Sequence, residues 1–498
     1  MKLVMNSMLI LLIVLLSVSC SQSSEPEAEP VPEPVLEPEP KEETEPESPQ
    51  QGAEFPSSEL WGDRVQYQAF DTAAVNKVDK VALGPNGQIC YIHREAGIDD
   101  ITVVMSNWSS RVNCIDANHD AILSHKRVGN GILKDVLFTD DGSIVIAELI
   151  DIENDDETDL FFLQLSIYSV DGSLIKQSIL EDKASEDELY YYTVDADDVT
   201  RSTLTKLAVG AIPAIVGNAP VTLKWHNGFF YLLTYSYGVK VYKFDRALEV
   251  QWSQQVMPAY TWLWASSLSN KAKFTINNYD EIFVGFELFN EDVKVYEQHF
   301  NRSFNKPIEN KDIAVSVFST DGEYQRSYLT GKQDSENLVG LVYKDNRLNI
   351  AANVRIAKPE ATNSTTEWDM LLMSVSPDDG WMDEYQLIHI DKEDSAQDVA
   401  LLPNGNILFA GTTGFVQVDT NSQVTNGNGL LVEVDESGGI VRSLIMSAPR
   451  NVIVEAAVPI DDHQILFASR YDGPITHTCD NDNSGCYTKS ALGIAELE

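Results

Sequence analysis

From about residue 53 onward the chain repeats one pair of tight turns, and this repeat restricts its fold more than any other property. The first turn recurs seven times, at Asn86-Gly87, Asp141-Gly142, Asn227-Gly228, Tyr279-Asp280, Asp345-Asn346, Asn404-Gly405 and Asp462-His463. A second turn follows at Asn118, Asp171-Gly172, Asp245-Arg246, Asp321-Gly322, Asp379-Gly380 and Ser437-Gly438. Gly and Asn accept the positive φ that two-residue hairpin turns require, so these dipeptides between β-rich runs mark hairpins. DVALLPNGNILFAGTT (398–413) reads as strand, turn, strand, and GLLVEVDESGGIVRSLIM (429–446) as a second hairpin. DVLFTDDGSIVIAEL (135–149) and FFLQLSIYSVDGSLIKQSIL (161–180) follow the same grammar.

Two hairpins per unit make four antiparallel strands, the blade of a β-propeller. The spacing therefore predicts an all-β, seven-bladed β-propeller over 53–498. The last unit lacks its fourth strand, whereas DRVQYQAF (63–70) is a strand without a first turn. That N-terminal strand is expected to join the last blade and close the ring, removing exposed edges. The widest gap between first turns holds an insertion over roughly 181–220, with LTKLAVGAIPAIV as its apolar part. The stretches VALLPNGNILFAG and VLFTDDGSIVIAE resemble bacterial β-propeller repeats of the short, divergent kind found in secreted and surface proteins. A regular Trp-Asp ending, a Gly-Gly pattern beyond Gly438-Gly439 and the Trp-and-Gly signature of quinone-cofactor propellers are all missing. The resemblance thus implies a fold and not an activity, because propellers host many unrelated functions.

Ahead of the repeats, Lys2, the apolar run Leu9 to Leu16 and the small residues Ser17-Val18-Ser19 precede Cys20. The apolar run is too short to span a bilayer of about 30 Å. The pattern resembles a bacterial lipoprotein signal, although Ser17 stands where such signals usually carry Leu. The resemblance implies removal of 1–19 and acylation of Cys20 by palmitate-type chains. With Ser21 rather than Asp after the cysteine, it implies sorting to the outer membrane of the envelope, on either its periplasmic or its surface side. Residues 25–49 hold ten Glu, eight Pro and one Lys. Proline stiffness and like-charge repulsion make 20–52 a solvated tether.

The formal charge of −42 excludes a sequence-independent nucleic-acid binder. Removing the tether still leaves an acidic propeller, for which a monomeric domain is expected. The connections between second and third strands, near 93–108, 150–160, 287–312, 355–368, 413–428 and 471–490, are long and share one face. Binding on rigid scaffolds concentrates in such loops. The expected partner is a protein or glycan on that face.

Motifs with chemistry are few. Beyond Cys20 four cysteines remain, an even number for an oxidising compartment. Cys479 and Cys486 flank a short loop and are expected to pair; Cys90 and Cys114, on neighbouring strands of the first blade, form the second pair. Asp480, Asp482 and Ser484 precede Gly485 at the alternate spacing that opens a calcium loop, but Ala491 occupies the place of the distal acid. Calcium is therefore the one cofactor considered. Asp116, Asn118 and Asp120 show the same spacing inside a hairpin turn. Asp151, Glu153, Asp155, Asp156, Glu157 and Asp159 crowd one loop, which reads first as solvated charge. Aromatic groups gather at Tyr190-Tyr191-Tyr192 and at Tyr260, Trp262 and Trp264. The eight histidines lack ligand spacing, and no nucleophile, zinc-protease or nucleotide motif is present. The expectation is a non-enzymatic binding or scaffold propeller. The alternatives are an envelope hydrolase or lyase with its site at the channel, and a calcium-dependent carbohydrate binder.

Overall fold

In the computed structural model the described residues run from Leu60 to Glu498, apart from 72–74, 97–108, 129–130, 151–159, 181–188, 196–197, 205–210, 214–220, 236–237, 261–271, 290–292, 302–303, 305–310, 332–335, 358–365, 392, 415, 418–423, 426, 450 and 472–488. The chain divides into two units, Met1–Ser48 and Pro49–Glu498, and the described residues belong to the second.

After β1 (Val65–Phe70), blade 1 is built from β2 (Val75–Leu83), β3 (Ile89–Ala96), β4 (Ser109–Ile115) and β5 (Ala121–Val128). Blade 2 holds β6 (Gly131–Phe138), β7 (Ile144–Ile150), β8 (Leu160–Tyr168) and β9 (Leu174–Ile179). The insertion supplies β10 (Leu189–Asp195), β11 (Asp198–Leu204) and β12 (Ala211–Pro213). Blade 3 is β13 (Val221–His226), β14 (Phe229–Tyr235), β15 (Gly238–Phe244) and β16 (Val250–Tyr260). Blade 4 is β17 (Ala272–Ile276), β18 (Ile282–Phe289), β19 (Lys311–Phe318) and β20 (Tyr324–Thr330), with α1 (Val293–Phe300) between its middle strands. Blade 5 is β21 (Glu336–Lys344), β22 (Arg347–Ala357), β23 (Thr366–Val375) and β24 (Met382–Ile388). Blade 6 is β25 (Asp394–Leu401) and β26 (Ile407–Thr413), a small hairpin of β27 (Val416–Gln417) and β28 (Val424–Thr425), then β29 (Asn428–Val434) and β30 (Ile440–Met446). Blade 7 is β31 (Val452–Pro459), β32 (Gln464–Tyr471) and β33 (Lys489–Glu496). Its fourth strand is β1, which pairs antiparallel with β33 from Val65 opposite Ala495 to Phe70 opposite Ser490. The protein is a seven-bladed β-propeller closed by its N-terminal strand, as the turn spacing predicts.

Each expected first and second turn lies between paired strands. Asp or Asn at the turn entrance accepts backbone hydrogen bonds within the turn: Asp435 Oδ1 from Ser437 and Gly439, Asn277 Oδ1 from Tyr279 and Glu281. Gly380 shows why the second turn favours glycine. Its φ is +71°, and a Cβ there would sit 2.2 Å from the ring of Tyr328 on the outer strand of blade 4. Gly322 meets Trp252 of blade 3 in the same way. The second turn of one blade is thus pressed against the outer strand of the blade before it.

Burial follows radius. The second strands β7 and β26 are buried almost end to end because neighbouring blades cover both faces. The outer strand β9 is exposed or half-buried throughout. Hydrophobic clusters fill successive blade interfaces, for example Leu338, Leu341 and Leu371 between blades 4 and 5, and Val339, Phe409 and Leu430 between blades 5 and 6. At the closure, Trp61 packs on Tyr67, Phe467 and Tyr471 with ring centroids 4.5, 5.9 and 5.3 Å apart. Cys90 and Cys114 are directly opposite on β3 and β4, buried and disulfide-bonded, with their Cα atoms 4.1 Å apart. Cys479 and Cys486 lie outside the described residues.

Candidate functional site

Strand direction separates the two ends of the ring. Tight turns join strands one to two and three to four, so they share one end; the connections from strand two to three and the crossings between blades share the other. The strand-two-to-three connections span 97–108, 151–159, 290–310, 358–365, 414–427 and 472–488, and only blade 3 keeps a minimal one at 236–237. The inserted strands sit at the same end. β10 pairs parallel to the last residues of β16, Tyr191 opposite Ala259, and β12 pairs with the first residues of β8. Blade 3 thereby becomes a six-stranded sheet. Helix α1 is anchored there through buried Val295 and Tyr296, whose hydroxyl lies 2.5 Å from Ser316 Oγ. His299 reaches the Gln255 carbonyl of blade 3 at 3.0 Å.

The crossing from blade 5 to blade 6, at this end, gathers three groups that are distant in sequence. Asp369 on β23 falls one step beyond the Met370–Ile388 pair, which puts His389 beside it. His389 Nδ1 lies 2.7 Å from Asp369 Oδ1 and 3.6 Å from Asp394 Oδ2. Both carboxylates are buried while the imidazole is half exposed. The hydrogen bond to Asp369 raises the His389 pKa above its ordinary value, and burial raises that of Asp394. The nitrogen and the two carboxylate oxygens lie within 4.8 Å of one another, a donor set of the kind that holds divalent cations. Asp394 already has other partners: Oδ1 accepts from Thr413 Oγ1 at 2.5 Å, and Oδ2 accepts from the Ile390 and Asp391 amides at 2.6 and 3.2 Å. Without any ion, the arrangement is an imidazole held between two buried carboxylates, which favour its protonated form.

The ring axis carries a second concentration of charge. The innermost strand of every blade has no neighbour on its axial side, so its outward amides need other acceptors. Asp135 meets this need for blade 3: Oδ1 accepts from the Val136 amide at 3.0 Å and Oδ2 from the Leu223 amide at 2.7 Å. Asp398, at the same place in blade 6, accepts from Val399 at 2.9 Å and from Ala457 of blade 7 at 3.1 Å. Both residues sit where the innermost strand shifts register against the second. Nearby, Asp79 binds Lys77 and Arg94 at 2.7 Å each, and Arg470 pairs with Glu455. Burial pushes Asp79 up, but Arg94 and Lys77 outweigh it and hold the group far below the ordinary carboxylate range. Burial lowers the Lys224 pKa to about 8 even though Asp398 and Asp135 oppose that shift, and it lowers Lys273 as well. Lys134, almost fully buried, is driven well below its ordinary value by the same cause. Gln397 is exposed in mid-strand on the innermost β25, where that strand shifts register against β26.

The residues singled out from sequence fare unequally. Asp480, Asp482 and Ser484, the acidic run at 151–159, and Trp262 and Trp264 lie outside the described residues. Asp116, Asn118 and Asp120 form a turn in which Asp116 Oδ1 accepts the Asn118 and Asp120 amides at 2.8 and 2.9 Å. Tyr190–Tyr192 belong to β10, and Tyr260 ends β16. No spacing in the sequence singles out the His389 cluster or the lysines of the innermost strands. For Asp135 and Asp398 the sequence does hold a signal, the Asp-Val doublet shared by 135–136 and 398–399.

No family model matches the chain, and no curated protein matches its sequence. Among solved structures, polysaccharide lyase Uly1 is similar in fold at 11% identity and TM-score 0.45, over 89% of this chain and 95% of that one. A protein of unknown function from Dyadobacter fermentans aligns at 10% identity and TM-score 0.39, over 87% of this chain and 99% of that one. Drosophila Plexin A, solved in complex with Semaphorin 1b, aligns at 7% identity and TM-score 0.39, over 90% and 88%. At that level of similarity nothing those proteins do transfers to this chain.

Proposed function

We propose that this chain is an envelope lipoprotein, anchored through acylated Cys20 to the outer membrane, whose propeller binds a protein partner on its long-connection face and catalyses no reaction. The observation that carries this reading is the one-sidedness of the ring. The long connections, the helix and the inserted strands all add to one end, while the other keeps short, glycine-pinned turns. The axial carboxylates do not favour the hydrolase alternative. Asp135 and Asp398 are committed to backbone amides, and a general acid–base pair needs carboxylates free to exchange protons with substrate.

The test is affinity capture from solubilised envelopes with the full chain and with a variant in which 305–310 is shortened to two residues. A stoichiometric protein should be recovered with the first and lost with the second, while circular dichroism stays the same. Equal recovery by both variants, or none by either, overturns the reading. Mass spectrometry of the mature N-terminus tests the anchor: a triacylated Cys20 is expected, and release of a Cys20→Ser chain into the soluble fraction. Calcium at Asp480, Asp482 and Ser484 would add a metal to the same face; calorimetry with the full chain giving no calcium heat removes it.

A further inference from the structure

Asp369 lies on β23, His389 directly follows β24 and Asp394 opens β25, so these residues join the third strand of blade 5 to the innermost strand of blade 6. The chain is rich in acids, yet among the described residues this is the one place where three His, Cys, Asp or Glu side chains bring donor atoms within 4.8 Å of one another. Neither acid has a lysine or arginine within ion-pair distance among the described residues, and the base that both meet is His389. Asp369 and Asp394 are buried, Asp394 completely. Carboxylates withdrawn from water are costly unless opposite charge joins them. A divalent ion brings two positive charges to a place where His389 brings at most one.

The positions of the donors also suit an ion. His389 turns one atom, Nδ1, toward both carboxylates, 2.7 Å from Asp369 Oδ1 and 3.6 Å from Asp394 Oδ2. Metal–ligand bonds of about 2.1 Å place adjacent donors about 3 Å apart and opposite donors about 4.2 Å apart, so small side-chain rotations let all three share one ion. The donors are held from behind. A carboxylate offers about four lone-pair sites; Thr413 Oγ1 and the Ile390 and Asp391 amides take three on Asp394 and leave one. The β23–β24 ladder fixes Asp369 beside His389. Outer contacts of this kind orient ligands before the ion arrives. The imidazole is half exposed, which leaves a side of the site open to water.

We propose that Asp369, His389 and Asp394 bind a divalent first-row transition ion, with water in its remaining positions, at the crossing from blade 5 to blade 6. An imidazole nitrogen with two carboxylates suits zinc or manganese, whereas calcium and magnesium take oxygen donors. The ion pins the innermost strand of blade 6 to blade 5 at the long-connection end of the ring. The site goes beyond partner binding on that face, and either can fail without the other.

The experiment uses the full chain in detergent, stripped with EDTA and titrated with the chlorides of zinc, manganese, magnesium and calcium, read by calorimetry and by melting temperature. One zinc or manganese ion per chain is expected, bound saturably, raising the melting temperature and holding against excess magnesium. His389→Ala and Asp369→Asn, each shown to be folded by circular dichroism, should weaken that binding at least tenfold, since loss of an outer contact alone costs about that much. Absence of saturable zinc or manganese binding overturns the proposal, and so does a preference for magnesium or calcium. Unchanged affinity in both folded variants overturns it as well, because the ion then sits elsewhere on the chain. Should either variant fail to fold, imidazole NMR of the native chain decides: zinc should shift the His389 ring signals in step with the calorimetric saturation, and unmoved signals overturn the assignment.

Discussion

Two neighbouring crossings of the ring are built on the same acid pair and finished differently. Between blades 5 and 6, Asp369 and Asp394 flank His389. Between blades 4 and 5 the matching places belong to Asp312, just before the Ile313–Thr330 pair, to Glu336 at the start of β21, and to Gly331. Both Asp312 and Glu336 are buried, like their counterparts. Gly331 has φ +144°, and a Cβ there would lie 2.7 Å from Asp312 Oδ1 and 3.1 Å from Glu336 Oε2. One crossing therefore closes by bringing backbone against two acids, and the other by placing a titratable ring between them. Acids at this point serve the architecture of the ring; the imidazole is what individualises a single blade interface.

The largest effect expected from this comparison is at the glycine. Gly331→Ala adds a Cβ where the backbone lies in a region that L side chains avoid and where two buried carboxylate oxygens are already close. Such strain costs on the order of 1–3 kcal/mol, and displacing the acids adds to it. A loss of about 3 kcal/mol in urea unfolding is expected. A loss below about 0.5 kcal/mol would mean that the crossing has room, and that the two interfaces differ less than their geometry implies.

Asp369→Asn comes next. It keeps the side-chain shape but removes the charge that His389 Nδ1 meets at 2.7 Å. A hydrogen bond to a charged group contributes about 1.5–3 kcal/mol, less where one partner is half exposed, so a cost of about 1 kcal/mol is expected near neutral pH. Imidazole NMR should show the His389 pKa falling back toward its ordinary value. If it stays raised, Asp394 and not Asp369 dominates the clamp.

How much of this was legible before folding depends on whether a feature is local. Most turns were legible because positive φ favours Gly and Asn, as Gly87, Gly142, Gly405 and Asn346 show, although Asp280, His119 and Leu248 adopt it as well. Ring closure was legible because a strand without a turn at one end matches a blade without a strand at the other. Cys90 and Cys114 could be paired because adjacent strands of one blade put them in register. His389 could not be connected to Asp369 and Asp394, since their meeting depends on the β23–β24 register and on a crossing that folds back to the axis. Lys80 and Lys273 read as the ordinary polar face of a strand. Only the closed ring makes β2 and β17 the innermost strands of their blades. Similarly, the apolar insertion showed no strand periodicity strong enough to reveal that β10 would extend blade 3.

The smallest and most discriminating effect is the pH dependence of the clamp. The His389 pKa is raised in the folded chain, chiefly by its hydrogen bond to Asp369, against an ordinary value near 6.5. A group that binds its proton more tightly when folded contributes stability that is complete below the unfolded pKa and is lost as pH rises through the folded one. His389→Asn should therefore melt below the native chain at pH 6, and the gap should close by pH 9. Exposure of the ring keeps the effect below about 1 kcal/mol. Asp394, whose pKa burial also raises, is present in both chains. The glycine-closed crossing supplies the control, because a Gly331→Ala chain should lose the same stability at pH 6 and pH 9. A His389→Asn gap that persisted unchanged at pH 9 would show that the imidazole acts by packing alone, and the two crossings would then differ in shape and not in charge.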